Sequence, residues 1–232
     1  MADTPKVILF DIDGTLLKCN GAGKESLIQA TKEIFNISGS MVEINFQGKT
    51  DLWILSQSLL NHGVTKKEIE NNLQNLKNKY FSYLKINLKK SNPVLLEGVN
   101  DLLEILHNHE QIHLGLLTGN FKESAYIKTG HFNIDHYFQT GAFGDDNENR
   151  NNLPAVAKKR FENSINETLS FNDLYIIGDT IFDIECAKNA NAKSVAVCTG
   201  WTAKDELQAE NPDLLIENFS NIEKLYKFIL HN

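Results

Sequence analysis

Val7-Ile8-Leu9-Phe10-Asp11-Ile12-Asp13-Gly14-Thr15 is the stretch that decides how this chain is read. Its first four residues form an apolar run short enough for a strand buried on both faces. Asp11 and Asp13 then stand at or just past the strand's C-terminal end, and ligands in open α/β sheets bind in the crevice outside that end. Two carboxylates two residues apart, then Gly for a tight turn and Thr, suit a phosphate-handling site. One acid can attack or hold a metal while the other exchanges a proton. Asp and Gly are also ordinary turn residues, so the remaining chain has to decide between a site and a turn.

Working outward, further short apolar runs cover residues 112–117, 137–140, 174–177 and 194–197, with 214–216 as a further candidate. Helical patterns separate them, and strands alternating with helices imply a parallel sheet covered on both faces. The interval between the first and second runs breaks this rhythm. From about Leu17 to Pro93 there is no convincing strand but three helical patterns: residues 25–35, residues 50–60 closed by Gly63, and a helix opened by Thr65-Lys66-Lys67-Glu68 as a capping box. Its apolar positions, Ile69, Leu73, Leu76, Tyr80, Phe81 and Leu84, recur at roughly helical spacing. A parallel crossover needs about a dozen residues, so this interval predicts an inserted all-helical subdomain. The expected division is a core of residues 1–16 and 94–232 and an insert of residues 17–93, with Pro93 marking the return.

Other strand ends carry chemistry as well. The run at 112–117 ends in Thr118-Gly119-Asn120, where a hydroxyl and backbone donors can surround a phosphate oxygen. The run at 174–177 ends in Gly178-Asp179-Thr180, with Asp183 four residues beyond Asp179. Asp183 also suits the first turn of a helix, where the dipole favours an acid. Two acidic strand ends can jointly supply the hard oxygen ligands that Mg²⁺ prefers. Arg150 lies in the acidic, polar loop from Gly144 to Arg150, and Pro154 soon opens a helix. Gly21-Ala22-Gly23-Lys24 departs twice from a Walker phosphate loop, at Lys18 and Glu25. The seven His residues form no metal-binding pattern.

Composition excludes several classes. The 232-residue chain carries a formal charge of −7 without a long basic run, which argues against a nucleic-acid footprint. No apolar stretch approaches the roughly 18 residues of a membrane span. The polar start, Met1 to Lys6, does not read as a signal peptide. Cys19, Cys186 and Cys198 are scattered, as expected of free thiols in a reducing cytoplasm.

Taken together, Asp11-Ile12-Asp13-Gly14-Thr15, Leu117-Thr118-Gly119 and Gly178-Asp179-Thr180-Ile181-Phe182-Asp183 resemble the first, second and fourth motifs of the haloacid dehalogenase-like hydrolase superfamily. The helical insert resembles the cap of its phosphoglycolate phosphatase-like branch, and Gly48-Lys49-Thr50-Asp51 resembles a cap segment that approaches the active site. At the third motif many relatives have Lys followed by Pro, whereas this chain has Arg150-Asn151-Asn152-Leu153-Pro154, with Lys158 and Lys159 as rivals for the same role.

The resemblance implies a Rossmann-like α/β core whose first strand is central, flanked by the second and fourth. It implies catalysis by Asp11 as nucleophile and Asp13 as acid and base, with Thr118 and Arg150 holding phosphate oxygens. Gly119 and Asn120 join the phosphate site, and Lys49 contacts a substrate anion. Mg²⁺ would be held by Asp11, the Asp13 carbonyl and Asp179, with Asp183 as ligand or support. The expected partner is a small phosphorylated metabolite. Asp13 argues against dehalogenase chemistry, because a halide leaving group needs no proton. A sugar phosphomutase of the β-phosphoglucomutase type and a non-enzymatic binding protein on the same fold are the alternatives. The substrate and the oligomeric state stay open.

Overall fold

The computed structural model describes residues 4–37, 41 and 44–231. Strand β1 (Lys6–Phe10) is followed by the short β2 (Leu17–Lys18) and then by helices α1 (Ala22–Phe35), α2 (Asp51–Asn61) and α3 (Lys66–Lys90). After β3 (Val94–Leu95), helix and strand alternate: α4 (Val99–His107), β4 (Ile112–Leu117), α5 (Lys122–Gly130), β5 (Thr140–Ala142), α6 (Leu153–Ile165) and β6 (Leu174–Gly178). The chain closes with α7 (Ile181–Ala190), β7 (Lys193–Val197), α8 (Lys204–Ala209), β8 (Leu214–Ile216) and α9 (Ile222–His231).

Six strands form a parallel sheet in the order β5-β4-β1-β6-β7-β8. Ile8 stands opposite both Leu114 of β4 and Tyr175 of β6, so β1 is central with the two expected neighbours. From β1 the chain winds outward to β4 and β5, then returns to build β6, β7 and β8 on the other side. That reversal opens a crevice at the C-terminal end of β1. Residues 7–10 are fully buried because each alternate side chain meets its own helical layer. Ile8 and Phe10 pack with Leu102, Leu106, Phe219 and Leu225 on one face, and Val7 and Leu9 with Leu153, Phe161, Cys186 and Ala187 on the other.

Both passages into the helical insert run side by side, because β2 and β3 pair antiparallel, Leu17 opposite Leu95 and Lys18 opposite Val94. The sequence shows no sign of this ribbon, since two residues per strand are too few to establish a period. Within the insert, Leu27 and Ala30 of α1 and Tyr80, Leu84 and Leu88 of α3 belong to the same buried apolar cluster as Ile8 and Phe10. The Thr65 capping box forms: Glu68 N donates to Thr65 Oγ1 at 3.3 Å, and Thr65 N donates to Glu68 Oε2 at 2.9 Å.

The third strand is displaced from its expected position. Residues 135–137 form a 3₁₀ turn, and the strand is Thr140–Ala142, paired with Gly115, Leu116 and Leu117. The apolar signal at 137–140 comes from Phe138, which is buried beside Phe10 rather than in a ladder. The pairing itself falls on small residues that carry no hydrophobic pattern. Among the described residues, no helix is long and apolar enough to cross a membrane.

Candidate active site

Asp11 follows the last residue of β1 and stays tied to the sheet, its N–H donating to Ile177 O at 2.9 Å. The turn that follows requires Gly14, which has φ +94°; a Cβ there would also lie 2.5 Å from Asp179 Oδ2. This turn brings Thr15 Oγ1 within 2.9 Å of Asp179 Oδ1, across 164 residues of chain. Asp179 leaves the end of β6, and Asp183 sits in the first turn of α7.

One oxygen from each of Asp11, Asp179 and Asp183 lies within 4.8 Å of the others. Burial pushes Asp11 up to about 6; the Arg150 charge opposes this, while Asp183 and Asp13 add to it. Burial, then the charges of Asp183 and Asp11, push Asp179 up to about 8. Asp179 Oδ2 is buried without a hydrogen-bond partner. A crowded set of hard oxygens with one orphaned acceptor fits a divalent cation such as Mg²⁺. Asp183 is more fully engaged: its Oδ2 accepts from Thr180 N at 3.0 Å and Thr180 Oγ1 at 2.6 Å, and its Oδ1 meets Arg150.

Arg150 opens a 3₁₀ turn and is buried among these acids. Its Nη2 contacts Asp183 Oδ1, lies 3.4 Å from Asp11 Oδ1, and donates to Leu117 O at 3.3 Å. Burial disfavours its charge, but Asp183 and Asp11 outweigh that effect and raise its pKa further, so the guanidinium stays charged. Its Nε is buried without a hydrogen-bond partner. Lys158 is elsewhere, 2.6 Å from Glu162, and Lys159 is exposed.

Thr118 is fully buried at the end of β4, and its hydroxyl slightly lowers the Asp11 pKa against the larger effect of burial. Asn120 Nδ2 donates to Thr118 Oγ1 at 2.8 Å and to Asp13 Oδ2 at 2.9 Å. Gly119 leaves room for the insert: a Cβ on it would lie 2.2 Å from Lys49 O. Asp51 N donates to Gly119 O at 2.7 Å, and Thr50 Oγ1 to Glu148 O at 3.2 Å, so segment 48–51 rests on two loops of the site. Lys49 Nζ lies 5.0 Å from the centre of the Trp53 ring and 5.4 Å from that of Phe182.

A cavity of about 500 Å³ lies between sheet and insert. Asp11, Asp13, Thr118 and Arg150 line its sheet side, while Gly23, Lys24, Phe46 and Tyr80 line the insert side. Gly23 and Lys24, which the Walker comparison sets aside, are therefore part of its wall.

Sequence reasoning missed Lys128 here, and named Asp51 only as part of the segment Gly48-Lys49-Thr50-Asp51 without giving it a role. Asp51 Oδ2 accepts from Phe121 N at 2.9 Å and Ser124 Oγ at 3.2 Å, so an acid at the start of α2 caps α5. Burial pushes Asp51 up to about 6. Lys128 of α5 is buried, with Nζ 2.5 Å from Asp13 Oδ2 and 2.6 Å from Asn120 Oδ1. Burial raises the Asp13 pKa, but the Lys128 charge and the hydrogen bonds from Lys128 and Asn120 prevail and hold it below the ordinary carboxylate value. The available signal for Lys128 was its place on the buried face of α5, with Ser124, Ala125 and Thr129.

A model of the haloacid dehalogenase-like hydrolase family matches residues 8–197. No curated protein sequence matches the chain. Among solved structures, a predicted phosphoglycolate phosphatase from Haemophilus somnus is similar over 97% of this chain and 100% of its own, at 22% identity and TM-score 0.69. A hydrolase from Pseudomonas syringae is similar over 97% and 99%, at 21% identity and TM-score 0.70. A Thermotoga maritima protein provisionally assigned as a β-phosphoglucomutase is similar over 96% and 99%, at 16% identity and TM-score 0.63. At these identities the likeness is one of fold.

Proposed function

The chain belongs to the haloacid dehalogenase-like hydrolases, and on that premise we propose that it is a Mg²⁺-dependent phosphatase acting on a small phosphate monoester. The observation that carries this reading is the meeting of Asp11, Asp13, Thr118 and Arg150 on one wall of a cavity, with Asp179 and its orphaned oxygen beside them.

In this reading residues 17–93 act as a cap over a core of residues 1–16 and 94–232. Asp13 first takes up a proton, from solvent or from the monoanionic phosphate ester. Asp11 then attacks phosphorus with one carboxylate oxygen, the bond to the leaving oxygen breaks, and Asp13 gives that oxygen the proton. Asp13, now a carboxylate, takes a proton from water. The water oxygen attacks the phosphorus of the acyl phosphate, and the Asp11 carboxylate is released with inorganic phosphate. Thr118, the backbone of Gly119 and Arg150 hold the non-bridging oxygens, with a planar guanidinium suited to two of them. Asp11, the Asp13 carbonyl and Asp179 would hold Mg²⁺, and Asp183 would fix Arg150 and support that set. When bound, the cation would supply positive charge that offsets repulsion between an anionic nucleophile and an anionic phosphate. Lys49 and Lys24 would meet the leaving group from the cap side.

Supplying a panel of phosphorylated metabolites with Mg²⁺, and again with a chelator, tests the proposal. Phosphate release that needs the metal is the expected result. Conversion of a sugar phosphate to its isomer without net phosphate release would instead favour a phosphomutase. A chain inert toward every ester would sink both.

A further inference from the structure

Lys128 is placed where packing alone gives no reason for a cation. The other buried residues on its face of α5 are Ser124, Ala125 and Thr129. A buried ammonium is costly unless it is paired and hydrogen-bonded. Its partner is Asp13, 115 residues away in sequence, and a Cβ on Gly23 would lie 3.6 Å from its Nζ, so the insert roofs the pair. The pair does not stand alone. Lys128 also donates to Asn120 Oδ1, and Asn120 donates to Asp13 Oδ2 and Thr118 Oγ1. Lys128, Asn120, Asp13 and Thr118 are thus joined by one continuous set of hydrogen bonds.

We propose that Lys128 is the positioning residue of the acid–base step: with Asn120 it fixes one Asp13 oxygen and thereby the orientation of that carboxyl group toward the leaving oxygen. This inference rests on the phosphatase reading and extends it. Lys128 acts through Asp13 and makes no contact with the phosphoryl group. A side chain held on two sides loses little freedom when substrate arrives, whereas a free Asp13 has to find its orientation in each turnover.

The test is kcat/KM, which reports the attack on phosphorus alone, across phosphate esters whose leaving groups range from nitrophenols to alkanols. A nitrophenolate leaves with little help, whereas an alkoxide needs the proton. Lys128→Met is expected to lose about 10–100-fold on an alkyl ester, within the span that acid–base catalysis contributes. It loses far less on dinitrophenyl phosphate, and competitive inhibition by inorganic phosphate is unchanged. On an Asp13→Asn background it adds no further loss. If Lys128→Met does not fold, Lys128→Arg is read in the same way, since it keeps the charge but alters the geometry, and its loss must also grow as the leaving group worsens. An equal loss on every ester, a loss that adds to that of Asp13→Asn, or weakened phosphate inhibition would overturn the inference and leave the phosphatase reading standing. A wild-type chain inert toward every ester would overturn both.

Discussion

Asp11 and Asp51 are both buried carboxylates pushed up to about 6, yet they stand in different surroundings. Both line the cavity, but Asp11 meets Arg150 and two further acids, whereas Asp51 accepts hydrogen bonds from neutral donors at the start of α5. Asp11→Asn is therefore expected to abolish ester turnover with an unchanged circular dichroism spectrum, and substantial residual activity would count against covalent catalysis. Asp51→Asn tests stability instead. The folded-state pKa of Asp51 is raised from 3.8, so its contribution is full below about pH 4 and fades as pH rises through about 6. That difference, at 1.36 kcal/mol per pH unit, is up to about 3 kcal/mol. Urea unfolding should find Asp51→Asn more stable than wild type at pH 7 and level with it below pH 4; a constant gap at all pH values would contradict this. Arg150→Ala should cut activity about 100-fold or more, as removal of a charge-stabilising donor does, while Lys158→Ala should leave it near wild type. The reverse ranking would move the phosphate-binding cation into α6.

At the scale of elements, the ends of β1, β4 and β6 carry the site, and segment 48–51 closes on them. Gly119 sits at that junction, and a methyl group there would strike the Lys49 carbonyl at 2.2 Å. Gly119→Ala should lower both kcat/KM and the melting temperature by forcing the insert away from the site; an unchanged kcat/KM would show that the contact does not form in solution. What the sequence disclosed follows the same geography. Asp11, Asp13, Thr118, Asp179 and Asp183 were legible because each sits within a few residues of the apolar run that ends beside it. Arg150 was named from the sequence with Lys158 and Lys159 as rivals, and of the three it is the one buried between Asp11 and Asp183. Lys128 was invisible as a site residue because its partner lies 115 residues away, and Asp51 was named only within a segment approaching the site, because its partner Phe121 lies 70 residues away. β5 was misplaced because its pairing is a backbone property of small residues, and the apolar signal next to it belongs to a turn.

At the scale of the whole molecule, the winding of the chain gathers four carboxylates around one crevice, and burial and mutual repulsion push two of them above the ordinary carboxylate range. With Asp179 pushed to about 8 and Asp11 to about 6, a cation has to displace protons in order to bind. Mg²⁺ affinity should therefore tighten between pH 6 and 8, with a calorimetric heat that depends on the buffer's ionisation enthalpy; a flat affinity would mean that the acids are already ionised. The central claim is that the phosphoryl group passes through Asp11. Asp13→Asn, given dinitrophenyl phosphate and Mg²⁺ and quenched in acid, should carry one phosphoryl group on the peptide containing Asp11, detected by mass spectrometry and lost in the Asp11→Asn, Asp13→Asn double variant. Wild-type phosphate release with no phosphoryl group on that peptide, or with one on any other residue, would contradict the account.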